Sequence, residues 1–406
     1  MRRLPLVAAI TLGFACVPPP TAIVPSSSPL TSFHATATPT TATPSPTHSP
    51  GPLNVTTAIG TVPRSFHYFS EGQGESFRIL LFDEARSETP AVVLTSGRVT
   101  ASSGPDVRSE AFTVSADGRV VVLMRRLSEQ LTTYYVLRPD TGELRGLLSG
   151  ADLGPPVISA DGQRIAYARR SDDAAVNGLW VFAIALRAPS PARLVIDEPQ
   201  RVGSPPRPLA WSADGKWLAI SPVLGEGGTE VAVVDPAAGE TRFDAATNAF
   251  VGGRARVLGP GYAVDWRGGE RNLLVTSSRD LFGGLTQIYT ADVTTGTTRV
   301  LYRPAAADAT LGPAAMHPAL DRYAVREGAL GRGPGAPNTM WLRQLDGSAR
   351  SVSDSAFNSD PWWSLDGTKL FSIIGGDDST GFISNLLGTG GGTLFCKRGG
   401  DLPRCT

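Results

Sequence analysis

Acidic residues recur in this sequence inside one short motif, Ser-x-Asp-Gly. Its four clear copies contain the pairs Asp117-Gly118, Asp161-Gly162, Asp214-Gly215 and Asp366-Gly367. A row of carboxylates can act in acid–base catalysis or bind a cation. A local explanation is simpler, because an Asp side chain accepts hydrogen bonds from nearby backbone N–H groups and Gly adopts a positive φ without steric cost. We therefore interpret the repeated aspartates as turn residues and not as catalytic carboxylates.

Histidines and hydrolase motifs offer little further chemistry. His34 and His48 lie in a Pro/Thr-rich stretch, which leaves His67 and His317 for the folded part. The sequence contains no Gly-x-Ser-x-Gly, no His-Glu-x-x-His, no phosphate-binding loop and no calcium-binding loop. His317 replaces the serine in a weaker copy of the motif, which favours a structural role. We predict no catalytic residue, no metal and no cofactor.

The motif marks a tandem repeat. Two weaker copies, at Trp266 to Glu270 and Met316 to Leu320, fill the gap between the third and fourth clear copies, and successive copies lie 44 to 55 residues apart. Each unit has a second turn, such as Asp140-Thr141-Gly142, and room for four short strands. This pattern predicts an all-β fold, a β-propeller of four-stranded antiparallel blades. Seven blades are favoured, with Asn54 to Ile59 as the first strand; six remain if the N-terminal strands complete the last blade.

The run from Trp211 to Lys216, Trp-Ser-Ala-Asp-Gly-Lys, resembles the TolB-type and WD40-like propeller repeats of bacterial periplasmic proteins. The resemblance spans roughly residues 60 to 406 and implies a fold more than a function. A TolB-like protein would carry a small α/β domain before the propeller, where this chain has a Pro-rich segment. A prolyl-oligopeptidase-like enzyme would carry a peptidase domain after it. The resemblance therefore implies neither a Tol–Pal partner nor peptidase activity. Trp211, Trp266 and Trp363 share one position of the repeat and are expected to pack between blades.

The loops opposite the tight turns are the expected binding region. Antiparallel strands alternate in direction, so the long connections collect on the other face, where propellers commonly bind ligands. We expect them between second and third strands, as at Arg169 to Asn177, and between blades, as at Asp244 to Gly261. Trp362 is a candidate for stacking on a sugar or peptide, or else packs beneath a loop. The candidate ligand rim comprises Arg169, Asp172, Asp173, Arg279, Asp280, Trp362, Asp377 and Asp378.

The N-terminus is typical of an export signal. Arg2 and Arg3 precede an apolar run, Leu4 to Phe14, which is shorter than the about 20 residues that a transmembrane helix needs. The stretch Leu12 to Cys16 resembles a bacterial lipobox, which implies lipidation of Cys16. Cleavage by ordinary signal peptidase after Ala15 is the alternative. Residues 1–15 are therefore predicted to be a signal peptide.

Residues 16–53 are predicted to be a disordered stalk and residues 54–406 the propeller. The stalk is rich in Pro, Thr and Ser, has no charged side chain, and favours an extended polyproline II conformation. Near the C-terminus, Cys396 and Cys405 would pair in an oxidising compartment and close a short loop. Two free thiols are the alternative.

Charge and location narrow the expected function. Lys and Arg number 37 and Asp and Glu number 37, which argues against a nucleic-acid partner. We expect a membrane-anchored lipoprotein, exported to face the periplasm or the cell exterior, whose propeller is a monomer. Its predicted role is a non-catalytic binding or scaffold module for an envelope protein or glycan. An envelope enzyme that acts on a saccharide or peptide with two carboxylates is the alternative.

Overall fold

The structure is a computed structural model of the 406-residue chain. It describes residues 53–56, 58–63, 66–73, 76–83, 91–96, 110–128, 131–151, 153–171, 176–184, 193–197, 206–221, 223–224, 228–244, 249–266, 271–278, 285–306, 308–329, 338–355, 360–364, 366–375, 381–387 and 393–394. All of them belong to one compact unit, His48–Thr406. Within these ranges there is no α-helix, and so no helix that could cross a membrane.

Short strands make up the regular structure. In chain order they are β1 Leu53–Val55, β2 Phe66–Gln73, β3 Ser76–Asp83, β4 Ala91–Ser96, β5 Glu110–Val114, β6 Val121–Ser128, β7 Leu131–Arg138, β8 Glu143–Gly150, β9 Val157–Ile158, β10 Arg164–Arg169, β11 Gly178–Ala183, β12 Arg193–Asp197, β13 Arg207–Trp211, β14 Leu218–Ser221, β15 Val223–Leu224, β16 Gly228–Val234, β17 Thr241–Asp244, β18 Ala249–Val251, β19 Ala255–Pro260, β20 Ala263–Trp266, β21 Asn272–Ser278, β22 Leu285–Asp292, β23 Thr298–Tyr302, β24 Ala309–Leu311, β25 Ala315–Met316, β26 Arg322–Ala329, β27 Asn338–Gln344, β28 Ala349–Ser355, β29 Trp362–Trp363, β30 Leu370–Gly375, β31 Gly381–Asn385 and β32 Thr393–Leu394.

The described strands fall into seven sheets. The second, fifth and seventh are simple four-stranded meanders, β5-β6-β7-β8, β20-β21-β22-β23 and β29-β30-β31-β32. The third is built on β9 to β12, the fourth on β13, β14, β16 and β19, and the sixth on β24 to β28. The first has the order β1-β4-β3-β2. This confirms the all-β, antiparallel propeller architecture, while the number of blades in the complete ring stays a prediction.

The first strands of neighbouring sheets contact one another, and tryptophans join them. Trp211, Trp266 and Trp363 each donate the indole N–H to a backbone carbonyl in the first strand of the preceding sheet, at 3.0, 3.3 and 3.1 Å. The acceptors are Val157, Ala210 and Ala315. An indole combines a large apolar body with a single donor, which suits a seam between two sheets. The predicted packing role of these tryptophans is confirmed.

The hydrophobic core lies between the sheets. In β14, Leu218 and Ile220 pack with residues of the third sheet, whereas Ala219 packs with residues of the fifth. All three side chains are buried. Because neighbouring sheets cover both faces, such a strand is apolar at every position and does not alternate.

The sheets share a bulge that the repeat motif does not reveal. In six of the seven, the pairing between the third and fourth strands shifts by one residue and leaves an extra residue in the fourth strand. That residue is always aliphatic: Val93, Leu147, Val195, Leu258, Leu301 and Val352. A bulge bends a strand and increases its twist.

Two segments differ from the sequence prediction. The interval from Asp244 to Gly261 was expected to link two blades, but β18 and β19 lie inside it, and β19 is the fourth strand of the fourth sheet. The preceding hairpin, β17–β18, leaves that sheet and pairs in parallel with β12 of the third. An extra hairpin within a blade moves the later strands of that blade further along the sequence. A prediction from the repeat spacing alone therefore put the link between the blades in the wrong place.

The start of the propeller also differs. The segment from Asn54 to Ile59 was predicted to be the first strand of the first blade, but β1 pairs with β4 at the opposite edge from β2. After β1 the chain contacts the second sheet, where the N–H groups of Ile59 and Gly60 donate to the carbonyls of Pro139 and Asp140 at 2.9 and 3.1 Å. These two bonds direct the chain along the neighbouring sheet before β2 begins.

Candidate functional site

The Ser-x-Asp-Gly turns are closed by their own side chains. In the last copy, the hydroxyl of Ser364 donates to Oδ1 of Asp366 at 2.6 Å, and the same oxygen accepts the N–H of Thr368 at 2.9 Å. Ser364 Oγ accepts the N–H of Lys369 at 2.9 Å, and Gly367 has φ of 70°. The other three copies have the same bonds, at Ser115 and Asp117, Ser159 and Asp161, and Ser212 and Asp214.

These bonds lower the pKa of three of the four aspartates. Burial raises the pKa of Asp161 and Asp214, but the serine hydroxyl and a backbone N–H outweigh burial, so both values lie below the ordinary one. The hydrogen bond from Ser364, followed by those from Thr368, lowers the pKa of Asp366. In each copy one carboxylate oxygen accepts two hydrogen bonds from its own turn, so the carboxylate has a local structural role.

His317 performs the same task with a different side chain. Its Nδ1 accepts the N–H groups of Ala319 and Leu320 at 3.0 and 2.8 Å, which leaves the ring proton on Nε2. Nε2 therefore donates to the carbonyl of Gly367 in the next sheet, at 3.0 Å. The imidazole is buried and meets Trp363 edge-on. His317 thus closes a turn and joins two sheets.

Two members of the predicted ligand rim lie in the described residues. Arg169 ends β10, is half-buried and forms a bridge with Leu153. Trp362 stacks on Phe371, with ring centroids 5.6 Å apart, and Phe371 meets Phe82 of the first sheet edge-on at 6.3 Å. The structure therefore places Trp362 near the seam between the last and first sheets.

The remaining rim residues and all three cysteines fall outside the described residues, so their roles stay predictions. They are Asp172, Asp173, Arg279, Asp280, Asp377, Asp378, Cys16, Cys396 and Cys405. The connection predicted at Arg169 to Asn177 does join the second strand of its sheet, β10, to the third, β11.

A basic cavity lies between the fourth and fifth sheets, on the side of the tight turns. Its volume is about 390 Å³, and it is lined by four cations, one carboxylate and Trp217. The cations are Lys216, Arg254, Arg256 and Arg271, and the carboxylate is Asp214. They come from the first turn of the fourth sheet, from the start of β19 and from the residue before β21. Residues at three separate strand ends therefore place positive charge in the basic cavity.

Two of these cations, Lys216 and Arg254, lie near the indole ring of Trp217. The Nζ of Lys216 lies 6.0 Å from the centre of the indole, and the guanidinium of Arg254 lies 5.9 Å from it. The indole itself is buried, with 8% of the residue exposed. A cation near the face of an aromatic ring is attracted by the ring quadrupole, so the tryptophan holds both charges at the cavity without neutralising them.

Arg256 is positioned by a glycine. Gly296, in the second turn of the fifth sheet, has φ of 78°, and a Cβ at this position would lie 2.8 Å from Cδ of Arg256. Within the described residues, the buried Nη1 of Arg256 has no hydrogen-bond partner. A guanidinium donor that lacks a partner in a half-buried position favours a ligand that can accept a hydrogen bond.

Carboxylates near the cavity compensate only part of its charge. Asp214 is engaged by Ser212 and by the N–H of Lys216, and Asp235 lies 3.8 Å from Arg254. Asp292 binds the N–H groups of its own turn, and the charge of Arg271 contributes to lowering its pKa. The cavity therefore keeps a net positive lining.

A second cavity, also of about 390 Å³, lies between the fifth and sixth sheets. Its lining is rich in hydroxyl and amide groups and includes Asn272, Thr290, Thr295 and Thr297 with one cation, Arg299. Arg299 donates to the carbonyl of Leu345 across the seam at 3.3 Å. Leu301, Met316 and Leu345 add apolar surface, and Asp292 is its one carboxylate, so this cavity lacks the concentration of positive charge of the first.

Burial raises the pKa of three other carboxylates, Asp265, Glu230 and Asp360, in the opposite direction from the turn aspartates. Burial raises the pKa of Asp265 to about 6, although its carboxylate accepts the N–H groups of Met316 and Trp266 at 2.7 and 2.9 Å. The described part of the chain contains no group of three or more His, Cys, Asp and Glu side chains arranged to hold a metal ion.

Sequence reasoning missed the basic cavity. It directed attention to the long loops, whereas these cations belong to strand ends on the opposite side. A signal was present, since Arg254 and Arg256 are two residues apart and therefore share a face in a strand. Because the segment from Asp244 to Gly261 was predicted to be a link between blades, this two-residue spacing was not interpreted as part of a strand.

Comparison with known proteins supports the fold. No protein-family model and no curated protein sequence matches the chain. An oligogalacturonate lyase from Vibrio parahaemolyticus is 12% identical with a TM-score of 0.50, over 86% of each chain. A prolyl endopeptidase has the same identity and TM-score over 85% of this chain, which spans 51% of that enzyme. Similar structures also include a putative TolB from Agrobacterium tumefaciens, at 17% identity and a TM-score of 0.44, over 74% of this chain and 98% of that one.

These similarities are too distant in sequence to carry a function. The two enzymes with the TM-score of 0.50 share about one residue in eight with this chain, so the similarity concerns the fold alone. TolB structures are among those similar to the chain, as the repeat motif predicted. The antiparallel sheets of the described residues identify the chain as a β-propeller.

Proposed function

We propose that this chain is an exported, lipid-anchored propeller that binds a protein or glycan partner at the cell envelope without chemically changing it. The observation that carries the proposal is the basic cavity between the fourth and fifth sheets. Its cations sit on strand ends and turns of a packed scaffold, so the backbone that carries them is already held in place when a polar partner binds.

The N-terminal sequence supports the location. A signal peptide followed by Cys16 and a Pro/Thr-rich stretch is the arrangement of a tethered domain. A lipid on Cys16 would keep the propeller at a membrane, and an extended stalk would give it reach. A binding module with this arrangement can search the space around its attachment point.

An envelope enzyme acting on a saccharide or peptide is the second candidate. The observation in its favour is that Asp265 and Glu230 both have raised pKa values, as a general acid requires. The oligogalacturonate lyase and the prolyl endopeptidase show that this fold can serve enzymes. Glycoside hydrolysis would further require two carboxylates about 5–10 Å apart in one site.

One experiment separates the two candidates. The full-length chain is produced in its native envelope, cross-linked in intact cells, and recovered under denaturing conditions. We expect a defined protein or glycan whose mass equals that of the same molecule from cells lacking the chain. A partner recovered as a cleaved or eliminated product would support the enzyme instead. Recovery of no cross-linked partner above a control that carries an unrelated lipoprotein would contradict the binding role.

A further inference from the structure

We propose that the basic cavity between the fourth and fifth sheets is a binding site for a phosphate group, either free or carried by a larger molecule. The inference rests on the proposed binding role, because it treats this cavity as the place where that role is exercised. It adds the chemical class of the group that is recognised.

The number and arrangement of donors favour phosphate. Arg254, Arg256 and Arg271 each present a planar fork of N–H groups, and Lys216 adds a compact ammonium group. A carboxylate offers two oxygens in one plane and is satisfied by one or two such forks. A phosphate monoester offers three terminal oxygens in a pyramid and a charge of about −1.5 to −2 at neutral pH. Cations that approach from three strand ends match the second geometry.

The charge balance points the same way. Among the lining residues four cations face one carboxylate, and Asp214 is already engaged by its own turn. Asp235 is buried and lies 3.8 Å from Arg254, so it offsets part of the charge of that one cation. A dianion would therefore reduce the repulsion among these cations more than a monoanion would.

Size and access are suitable. A volume of about 390 Å³ is within the range of small-molecule sites and exceeds what a bare phosphate needs, so the group can be part of a larger ligand. Arg254 is 60% exposed at its side chain, and Arg271 is exposed, so a ligand can enter without movement of the sheets. Arg256 lies deeper, with the buried Nη1 as the donor that gains most.

The test is a titration of the purified full-length chain with inorganic phosphate, glycerol 3-phosphate and glutarate, followed by isothermal calorimetry at low ionic strength. We expect saturable binding of the phosphate compounds and at least about tenfold weaker binding of glutarate. If glycerol 3-phosphate binds and inorganic phosphate does not, the source is a phosphorylated molecule; the reverse result indicates free phosphate. Absence of saturable binding of both, or glutarate binding as tight as phosphate, would overturn the proposal.

Matched variants locate the site. Arg271→Gln and Arg256→Gln each remove one fork and are expected to weaken phosphate binding by about tenfold or more. Arg119→Gln, an exposed cation in the first turn of the second sheet, is the control and should bind within twofold of the wild type. Arg271 is exposed, so its replacement leaves folding intact even where Arg256→Gln does not. Equal binding by Arg271→Gln and the control would place the anion elsewhere.

Failure of this titration and failure of the proposed function are separate results. A chain that cross-links a partner in the envelope but binds no phosphate compound keeps the binding role and loses only the phosphate assignment. If the chain binds phosphate but cross-linking yields no partner, or yields a chemically changed one, the phosphate site is supported and the non-catalytic binding role is contradicted.

Discussion

The pKa of an aspartate in this propeller is lowered at some positions and raised at others, according to what surrounds its carboxylate. In the first turns, a serine hydroxyl and backbone N–H groups converge on one oxygen and lower the pKa of Asp161, Asp214 and Asp366. In the seam between the fifth and sixth sheets, burial outweighs two backbone donors and raises the pKa of Asp265 to about 6. The side chain is the same, and the balance between desolvation and hydrogen bonding decides the sign.

Asp265 should make the propeller less stable as pH rises. Its folded pKa of about 6 exceeds the ordinary value of 3.8, so the folded state keeps a proton that the unfolded state has lost between these values. This contribution to the free energy of unfolding is complete below about pH 4 and disappears as pH rises through 6. A pKa difference of one unit corresponds to about 1.4 kcal/mol, so Asp265 contributes on the order of 1–3 kcal/mol to the free energy of unfolding at low pH.

The variant Asp265→Asn isolates this effect, because it cannot ionise. Urea unfolding of both proteins at pH 4.5 and pH 7.5 should show that Asp265→Asn gains stability relative to the wild type at the higher pH. Glu240→Gln, at an exposed position, is the control and should follow the wild type. A stability difference between Asp265→Asn and the wild type that is the same at both pH values would show that Asp265 does not titrate in this range.

At the scale of the strand, a bulge recurs between the third and fourth strands of six of the seven described sheets. It lies at one register position in six sheets, and its extra residue is aliphatic every time, as with Leu147 and Leu258. The repeat motif marks the turn between first and second strands, whereas the bulge marks the fourth strand. Because a bulge is set by backbone pairing between distant residues, spacing in the sequence does not reveal it.

Two leucines of the second sheet test the role of the bulge. Leu147, the extra residue, is 8% exposed and packs in the core between the second and third sheets, whereas Leu131 at the start of β7 is 39% exposed. Leu147→Ala should lower the free energy of unfolding by about 2–4 kcal/mol, because it leaves a cavity. Leu131→Ala, the same chemical change, should cost less than about 0.5 kcal/mol. Thermal or urea unfolding measures both, and equal losses would show that the bulge residue carries no special packing.

At the scale of the whole molecule, the repeated turns were enough to predict the propeller but not the site. Asp117, Asp161, Asp214 and Asp366 have local hydrogen bonds that depend on five or six consecutive residues, so the sequence reveals them. The basic cavity depends on Lys216, Arg254 and Arg271, which come together only when two sheets pack. The cavity was not predicted because the hairpin β17–β18 is inserted within a blade and changes the expected spacing of the strands that follow it.

The proposed lipid anchor is tested on the full-length chain. Replacement of Cys16 by alanine removes the acceptor for the lipid, so Cys16→Ala should move from the membrane fraction to the soluble exported fraction. Fractionation of cells expressing both forms, with a detergent phase-partition assay, measures the change. Cys396→Ala is the control and should stay with the membrane. Membrane association of Cys16→Ala equal to the wild type would show that the chain is held in another way.

The path of the chain after β1 has a mechanical consequence. A tether on the N-terminal side pulls first on β1, which has only three residue pairs with β4 at a sheet edge. The next residues, Ile59 and Gly60, are bonded to the carbonyls of Pro139 and Asp140 in the second sheet. Force from the tether is therefore shared between two sheets, and the edge strand can be peeled away without transmitting the whole load into β2 and the ring.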